Sequence, residues 1–309
     1  MDPISGKKVL VTGVTGWVGG PVATQLAAAG NEVYGAARFK NPAQRAPLEA
    51  AGVTPIAIDF ETSSFDEVPS DLDLVLHFAV SKSNVFSEAM RSTAEGVADL
   101  MDAAAARSDR LAAFLHCSST AVYQPKGHDA LVESDPLGDS HRAMGMVTYS
   151  ISKIAAEATV SLTSRRLGLP TVIARLNVPY GDTYGWMLFH LLMMERGMAI
   201  QVYEDQPNSY NPIHADDQVA SLPYLLSMAS TPATAVNWCG PDVVSIEDWC
   251  GYYGELTGLQ ATFQPTAAAI PSVVCDHAKL DATGFRCAVG WRDGLRRQVA
   301  ANRPDLLKS

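Results

Sequence analysis

Tyr149 and Lys153 stand four residues apart in Tyr149-Ser150-Ile151-Ser152-Lys153, within a stretch that reads as helix. At that spacing a phenol and an ammonium share one helical face, a turn apart. A free tyrosine has a pKa of about 10 and is a poor acid or base at neutral pH, but a nearby cation favours the phenolate and lowers it. The pair is therefore a candidate proton-transfer device, with Tyr149 as general acid or base. Of the ten tyrosines in the chain, only this one is followed by a lysine at that spacing. A Tyr and a Lys so placed also occur on ordinary solvated helix faces, so the assignment depends on what the rest of the chain supplies.

The β-branched run Lys8 to Thr12 leads into Gly13-Val14-Thr15-Gly16-Trp17-Val18-Gly19 and then into a helical pattern through Val22 and Leu26 to Gly30. This is the order strand, glycine turn, helix. Glycines let the backbone turn tightly and approach a pyrophosphate, whose charge then sits at the helix N-terminus. Gly13, Thr15, Gly16, Trp17, Val18 and Gly19 are accordingly candidates for holding a dinucleotide, and Pro21 falls in the first helical turn, where its missing N–H costs little. The next apolar run, Glu32 to Ala37, is the predicted second strand. An NAD site calls for an acidic residue at its end to bind the ribose 2′-hydroxyl; here Ala37 is followed by Arg38. A guanidinium there suits a 2′-phosphate, so the expected cofactor is NADP, with NAD as the other choice. Arg38 as a solvated loop residue stacking on adenine is compatible with either.

Further apolar runs follow at strand–helix spacing: Pro55 to Ile58 ending in Asp59, Leu72 to Val80, Leu111 to Cys117 ending in Ser118-Ser119-Thr120, Leu169 to Leu176, and Ala235 to Trp238. Between them lie alanine-rich helical stretches over 88–106 and 147–165. Strands alternating with helices predict an α/β fold, a Rossmann doubly wound parallel sheet with right-handed crossovers. The formal charge of −10 over 309 residues, without a basic stripe, argues against a nucleic-acid or anionic-membrane surface and for a small-molecule substrate. The apolar run from Trp186 to Met194 is too short to span a bilayer and the first residues lack a signal-peptide core, so a cytoplasmic protein is expected. Five cysteines without a C-x-x-C pair are expected to be reduced and mostly buried, and the seven histidines show no ligand spacing, so no metal site is expected.

With Gly13-x-x-Gly16-x-x-Gly19, Ser119 and Tyr149-x-x-x-Lys153 in that order, the chain resembles the extended short-chain dehydrogenase/reductase family, which includes NAD(P)-dependent epimerases, dehydratases and reductases. Cys117 to Tyr123, Glu133-Ser134-Asp135-Pro136 and Tyr210 to Asp217 carry the resemblance through the chain. It implies that Tyr149 exchanges a proton with a reacting oxygen and that Ser119, rather than Ser118, hydrogen-bonds that oxygen. It also implies that Lys153 binds the nicotinamide ribose and depresses the tyrosine pKa. Asp59 would cap the adenine amino group with Phe60 beside it, Phe78, Ala79 and Lys82 would line the cofactor from the loop after the fourth strand, and Pro179 would pack on the nicotinamide. By the same resemblance a homodimer is expected through the two alanine-rich helices.

Two departures narrow the substrate. Nucleotide-sugar members carry an arginine just before the segment here written Tyr210-Asn211-Pro212, where this chain has Ser209, and the asparagine after Arg175 falls one position early, at Asn177. The dinucleotide-binding domain is expected over 1–181 and 213–240, and a discontinuous substrate domain over 182–212 and 241–309. Tyr184, Trp186, Met187, Phe189, Met193, Met194 and Tyr203 would either wall an apolar pocket or form that domain's core. The sequence thus points to an NADP-dependent oxidoreductase interconverting a carbonyl and an alcohol on a small, largely apolar substrate. The alternatives are an epimerase or dehydratase of a sugar-like substrate and a non-catalytic dinucleotide-sensing module.

Overall fold

Along β1 (Lys8–Thr12) the side chains alternate between two apolar layers, Val9 and Val11 joining one and Leu10 the other. The same two-residue period recurs wherever a strand is covered on both faces. The computed structural model describes residues 1–140 and 145–308, so the expected end of the substrate region at 309 lies outside the described residues. β1 is joined by β2 (Glu32–Ala37), β3 (Val53–Ala57), β4 (Leu74–His77), β5 (Ala113–Ser119), β6 (Thr171–Leu176) and β7 (Thr234–Trp238). All pairings are parallel and the order is β7-β6-β5-β4-β1-β2-β3. The order reverses at β1 and β4, which places a crevice at the carboxyl ends of these two strands, the usual ligand position in such sheets.

On one face lie α1 (Gly19–Ala28) and a helix over Ala215–Ser227, contributing Val22, Leu26, Leu222 and Leu225 to the layer built on Val9, Leu76 and Leu115. The other face is covered by α2 (Gly96–Arg107) and α3 (Tyr149–Leu167), which bring Leu100, Met101, Ala156 and Val160 onto Leu10, Val75 and Phe114. Gly168, at φ 65°, ends α3 in a left-handed cap, and Arg165 and Arg166 complement the dipole of its last turn. A further buried cluster gathers Tyr180, Trp249, Tyr253 and Leu295 with residues of α4 (Trp186–Glu195). None of the described helices is long and apolar enough to cross a membrane. The five cysteines are free thiols, four of them buried.

The seven expected strands are present, β1 and β2 with the expected ends and the other five with shifted ones. The run Leu72–Val80 forms a ladder only to His77, because the next two N–H groups, of Phe78 and Ala79, turn onto Thr12 Oγ1 at 3.1 and 3.2 Å. β5 runs two residues past Cys117, since Ser118 and Ser119 still pair with Arg175 and Leu176 of β6. Leu169 bonds back to Ser164 in the cap of α3, so β6 starts only at Thr171. The helix expected over 88–106 is broken into a short turn, Phe86–Ala89, a π-helical stretch, Met90–Glu95, and α2. α2 opens at Gly96, where a Cβ would lie 3.0 Å from Phe60 Cβ and O, so a larger residue would push the helix off that ring.

Gly13 supports the crevice directly. Its φ is 72°, and a Cβ would meet Ala79 N and Phe78 C at 2.8 Å, so β1 can turn against the β4 loop only without a side chain. Gly30 has φ 83° with open space around it. Gly13→Ala should therefore lower the melting temperature clearly more than Gly30→Ala, since both incur backbone strain of about 1–3 kcal/mol but only the first adds a backbone clash. Equal melting of the two variants would show that the turn is not pressed against residues 78–79.

Candidate active site

α3 begins at Tyr149, so Tyr149, Lys153 and Glu157 line one face at successive turns, and that face docks on the end of β5. The start of the helix is tied to the crevice loop by Thr148 Oγ1, which donates to the Ser83 carbonyl at 2.7 Å. Lys153 is buried and its Nζ donates to the Cys117 carbonyl at 2.7 Å. Tyr149 is hydrogen-bonded to Ser119. Ser119 Oγ also accepts from Ala121 N at 3.2 Å, which fixes the hydroxyl at the strand end. Ser118 points to the other side of this contact and donates to Glu157, which settles which serine faces the tyrosine.

The electrostatics differ from the expectation. Burial raises the Tyr149 pKa above the ordinary phenol value, and only the Ser119 hydrogen bond works in the opposite direction. The Lys153 ammonium is engaged by the Cys117 carbonyl, and burial lowers its own pKa. The resting site thus presents a protonated phenol.

A buried polar network that the sequence reading missed holds this face in place. Arg175 Nη2 meets Glu157 Oε2 at 2.7 Å and Arg175 Nε meets Oε1 at 3.0 Å, with both side chains 6% exposed. Arg175 Nη1 donates to Tyr123 Oη at 3.0 Å and to the Glu133 carbonyl at 2.9 Å. Tyr123 donates in turn to Asn237, whose N–H is held by Glu133 Oε1 at 2.8 Å. Burial opposes the charge on Arg175, but the hydrogen bonds and charge of Glu157 outweigh it and hold the pKa above the ordinary guanidinium value. The signal available in the sequence was the third residue of the face, Glu157, one turn beyond Lys153.

A cavity of about 500 Å³ opens at the carboxyl ends of β1 to β4. Gly13, Thr15 and Gly16 form its floor at the glycine turn, and Arg38, Asp59 and Phe60 stand at the ends of β2 and β3. Phe78, Ala79 and Lys82 bound it from the β4 loop. Arg38 is exposed and makes no ion pair with any described residue, while one Asp59 oxygen accepts from Glu61 N at 3.0 Å. Lys40, Glu61 and Glu88 also line the wall. Trp17, Val18, Gly19, Tyr149, Lys153 and Pro179 lie outside this cavity wall. Gly19 opens α1 so close to the turn that a Cβ would fall 2.6 Å from Gly13 O, and Pro179 starts a short strand over Pro179–Gly181. The lining of the cavity, a glycine turn with an aspartate and an arginine at neighbouring strand ends, has the chemistry to take the adenosine end of a dinucleotide.

Below Lys153 two imidazoles stack. His77 and His116, paired across β4 and β5, have ring centroids 5.4 Å apart at 15°. His77 Nδ1 bonds Thr12 Oγ1 at 2.9 Å, but His77 Nε2 and both His116 nitrogens are buried without a hydrogen-bond partner. Burial and the Lys153 charge push His77 down to about 3 and His116 well below the ordinary histidine value, so both are neutral.

Of the apolar residues singled out as pocket wall or core, Met187 and Met194 are fully buried in the second cluster, with Trp186 and Met193 packed against it. Phe189 is turned outward and is 48% exposed. Ser209 is buried, its N–H on Ser272 Oγ at 3.0 Å, and Asn177 is turned away to donate to the Val273 carbonyl at 2.8 Å. Among the described residues no group of three or more His, Cys, Asp or Glu side chains is arranged to hold a metal.

The profile of the NAD dependent epimerase/dehydratase family matches residues 9–238. A dTDP-4-dehydro-6-deoxy-D-allose reductase from Streptomyces sp is 25% identical over 271 residues, 81% of each chain. The enzyme of that name from Streptomyces bikiniensis is 26% identical over 272 residues, 79% of each. DesIV, a dTDP-glucose 4,6-dehydratase from Streptomyces venezuelae solved with NAD and TYD bound, superimposes with a TM-score of 0.80 at 20% identity, covering 96% of this chain and 97% of its own. MoeE5, solved with UDP-glucose and NAD, gives 0.79 at 22% identity, covering 97% and 99%. These two structures bear on the fold.

Two outcomes follow from the geometry. Glu157→Ala leaves a buried guanidinium unpaired and should destabilise by about 3–5 kcal/mol in chemical denaturation, with Glu157→Gln costing less; an unaffected Glu157→Ala protein would mean that the pair does not fix α3. The neutral histidines set an acid limit. As pH falls from 6.5 toward about 3 the unfolded chain takes up a proton at His77 that the folded protein refuses. Stability should then drop by about 1.4 kcal/mol per pH unit for each such histidine. A His77→Phe/His116→Phe protein should show a shallower loss over that range, and an unchanged slope would show that the imidazoles are not buried neutral.

Proposed function

This chain belongs to the NAD dependent epimerase/dehydratase family and is an NAD(P)-dependent enzyme of the extended short-chain dehydrogenase/reductase type; from that premise we propose that it reduces a ketone or aldehyde to an alcohol with NADPH, on a small, largely apolar substrate. The observation that carries this reading is the hydrogen bond between Tyr149, at the start of α3, and Ser119, at the end of β5, with Lys153 one turn along the same helical face. Such a phenol is set to give a proton to a carbonyl oxygen, and Ser119 is placed to hydrogen-bond the same oxygen. When bound, the nicotinamide cofactor supplies the hydride. Lys153 spends one N–H on Cys117, leaving two for the ribose hydroxyls and for the phenolate that remains once the proton has left. Asp59, with one oxygen uncommitted to Glu61, would accept from the adenine amino group, and Pro179 would face the nicotinamide. The neutral pair Ser209 and Asn177 supports an apolar substrate, because a nucleotide-sugar pyrophosphate calls for a guanidinium.

One observation favours a second reading of the substrate. Both curated relatives described above are named as reductases of a dTDP-linked keto sugar, which keeps the reaction and changes the substrate class. A carbonyl panel with NADPH, including a dTDP-4-keto-6-deoxy sugar, separates the two. Net cofactor oxidation with simple ketones supports the first reading, oxidation only with the nucleotide sugar the second, and isomerisation without net oxidation an epimerase.

Oligomerisation is proposed through the outer faces of α2 and α3, where Leu162 is 58% exposed beside Ala155 and Ala158. Light scattering at micromolar concentration is expected to give twice the chain mass; a monomer would rule the interface out.

Tyr149→Phe removes one proton-transfer group and little volume, so kcat is expected to fall by about 10²- to 10⁴-fold with cofactor binding nearly intact. Near-normal turnover in this variant would end the mechanism. For the cofactor, Arg38 and Lys40 favour the 2′-phosphate. Hydrogen bonds to charged groups contribute about 1.5–3 kcal/mol, so the preference for NADP in kcat/KM should be roughly one to two decades. Ala37→Asp and Arg38→Ala should each shift the ratio toward NAD. A wild type that prefers NAD, or a ratio unmoved by either change, would show that the end of β2 reads the ribose differently.

A further inference from the structure

Trp17 stands inside the glycine turn, yet its ring leaves the cofactor cavity and packs on the other half of the molecule. Its centroid is 6.2 Å from Tyr184 at an interplanar angle of 23° and 5.5 Å from Phe189 at 45°. Both partners are firmly placed. Tyr184 belongs to a two-residue strand antiparallel to Pro179–Gly181, and its ring lies so close over Gly181 that a Cβ there would meet Cε1 at 2.6 Å. Phe189 rides on α4, which Met187, Leu191 and Met194 anchor in the second buried cluster. The first half of the turn is held by Gly13 N on Ala36 O at 2.9 Å and Gly16 N on Gly13 O at 2.9 Å. Its second half, where Trp17 stands, has Gly20 N on Gly16 O at 3.2 Å, and α1 has no side-chain cap at its start.

We propose that Trp17, Tyr184 and Phe189 form an aromatic clasp that holds the pyrophosphate turn against α4, so that dinucleotide affinity depends on contacts made outside the cofactor cavity. This rests on the reading of the glycine turn as a dinucleotide site. The Trp17 and Phe189 rings are 47% and 48% exposed, so their removal opens no core. Their stacking fixes the direction of the turn's N–H groups, and a donor set held in place before the ligand arrives binds more tightly than one that must be ordered on binding. The strand that carries Tyr184 pairs with the one that begins at Pro179, so the clasp also connects the pyrophosphate turn with the proposed nicotinamide end.

The test is calorimetric titration of wild type, Trp17→Ala, Trp17→Phe, Phe189→Ala and the Trp17→Ala/Phe189→Ala double variant with NADPH, NADH and adenosine. Adenosine has no phosphate and reaches only the end of the cavity near Asp59. Trp17→Ala and Phe189→Ala should each weaken the preferred dinucleotide by about three- to tenfold, as expected for the loss of an aromatic pair. Trp17→Phe should recover most of that loss, the double variant should be far from additive, and adenosine should bind all five proteins alike. Unchanged dinucleotide affinity in the alanine variants, additive effects, or a parallel loss for adenosine would overturn the clasp. A wild type that binds adenosine but neither dinucleotide would overturn the underlying reading of the turn as well.

Discussion

The buried ion pair between Glu157 of α3 and Arg175 of β6 sets the height and rotation of the helix that carries Tyr149. Removing two charges from water costs several kcal/mol, and the cost is offset only where every donor and acceptor is satisfied. Here Arg175 reaches Glu157 with two nitrogens and Tyr123 and Glu133 with the third, while Ser118 occupies a Glu157 oxygen from the strand side. A helix held in this way can neither slide nor roll without breaking several bonds in a dry interior. One turn back from the pair Lys153 therefore meets the Cys117 carbonyl, and two turns back Tyr149 meets Ser119.

The same dry interior determines the charges of the site. Lys153, His77 and His116 are buried and Tyr149 is half-buried, and burial works against whichever form is charged. The two imidazoles and the phenol answer by staying neutral. The ammonium is offset by Cys117 and by the charge of Glu157 farther along the same face. The consequence is a neutral phenol next to a serine hydroxyl, with a cation one turn along the same helical face.

The region beyond β6 serves two ends with one composition. Its large apolar residues fill a core around Trp249 and Tyr253, which is why Met187 and Met194 are buried and not part of a pocket wall. Where the same helix turns outward, Phe189 reaches the glycine turn through Trp17. The glycine turn and this region are thus joined by side chains as well as by the chain itself.

The order of strands and helices was legible in the sequence, because each strand is covered on both faces and each helix on one, and both periods survive in the pattern of apolar residues. The face shared by Tyr149 and Lys153 was legible too, since helical geometry brings residues four apart together, and so was Gly13, whose positive φ and close approach to the β4 loop admit no side chain. The ends of strands were not: β4 stops where two N–H groups find Thr12 Oγ1, a partner 66 and 67 residues away in the chain. The family spacing favoured Ser119 over Ser118, but the physical reason is the alternation of β5 beneath α3, which turns one to Tyr149 and the other to Glu157. The direction of the phenol's pKa lay furthest from reach, because four residues of spacing say that a cation is near, whereas burial of the site raises the phenol and the Ser119 hydrogen bond works against that. Local periodicity thus fixed the elements and their faces, and long-range contacts in a dry interior fixed where those elements end and which of their polar groups meet.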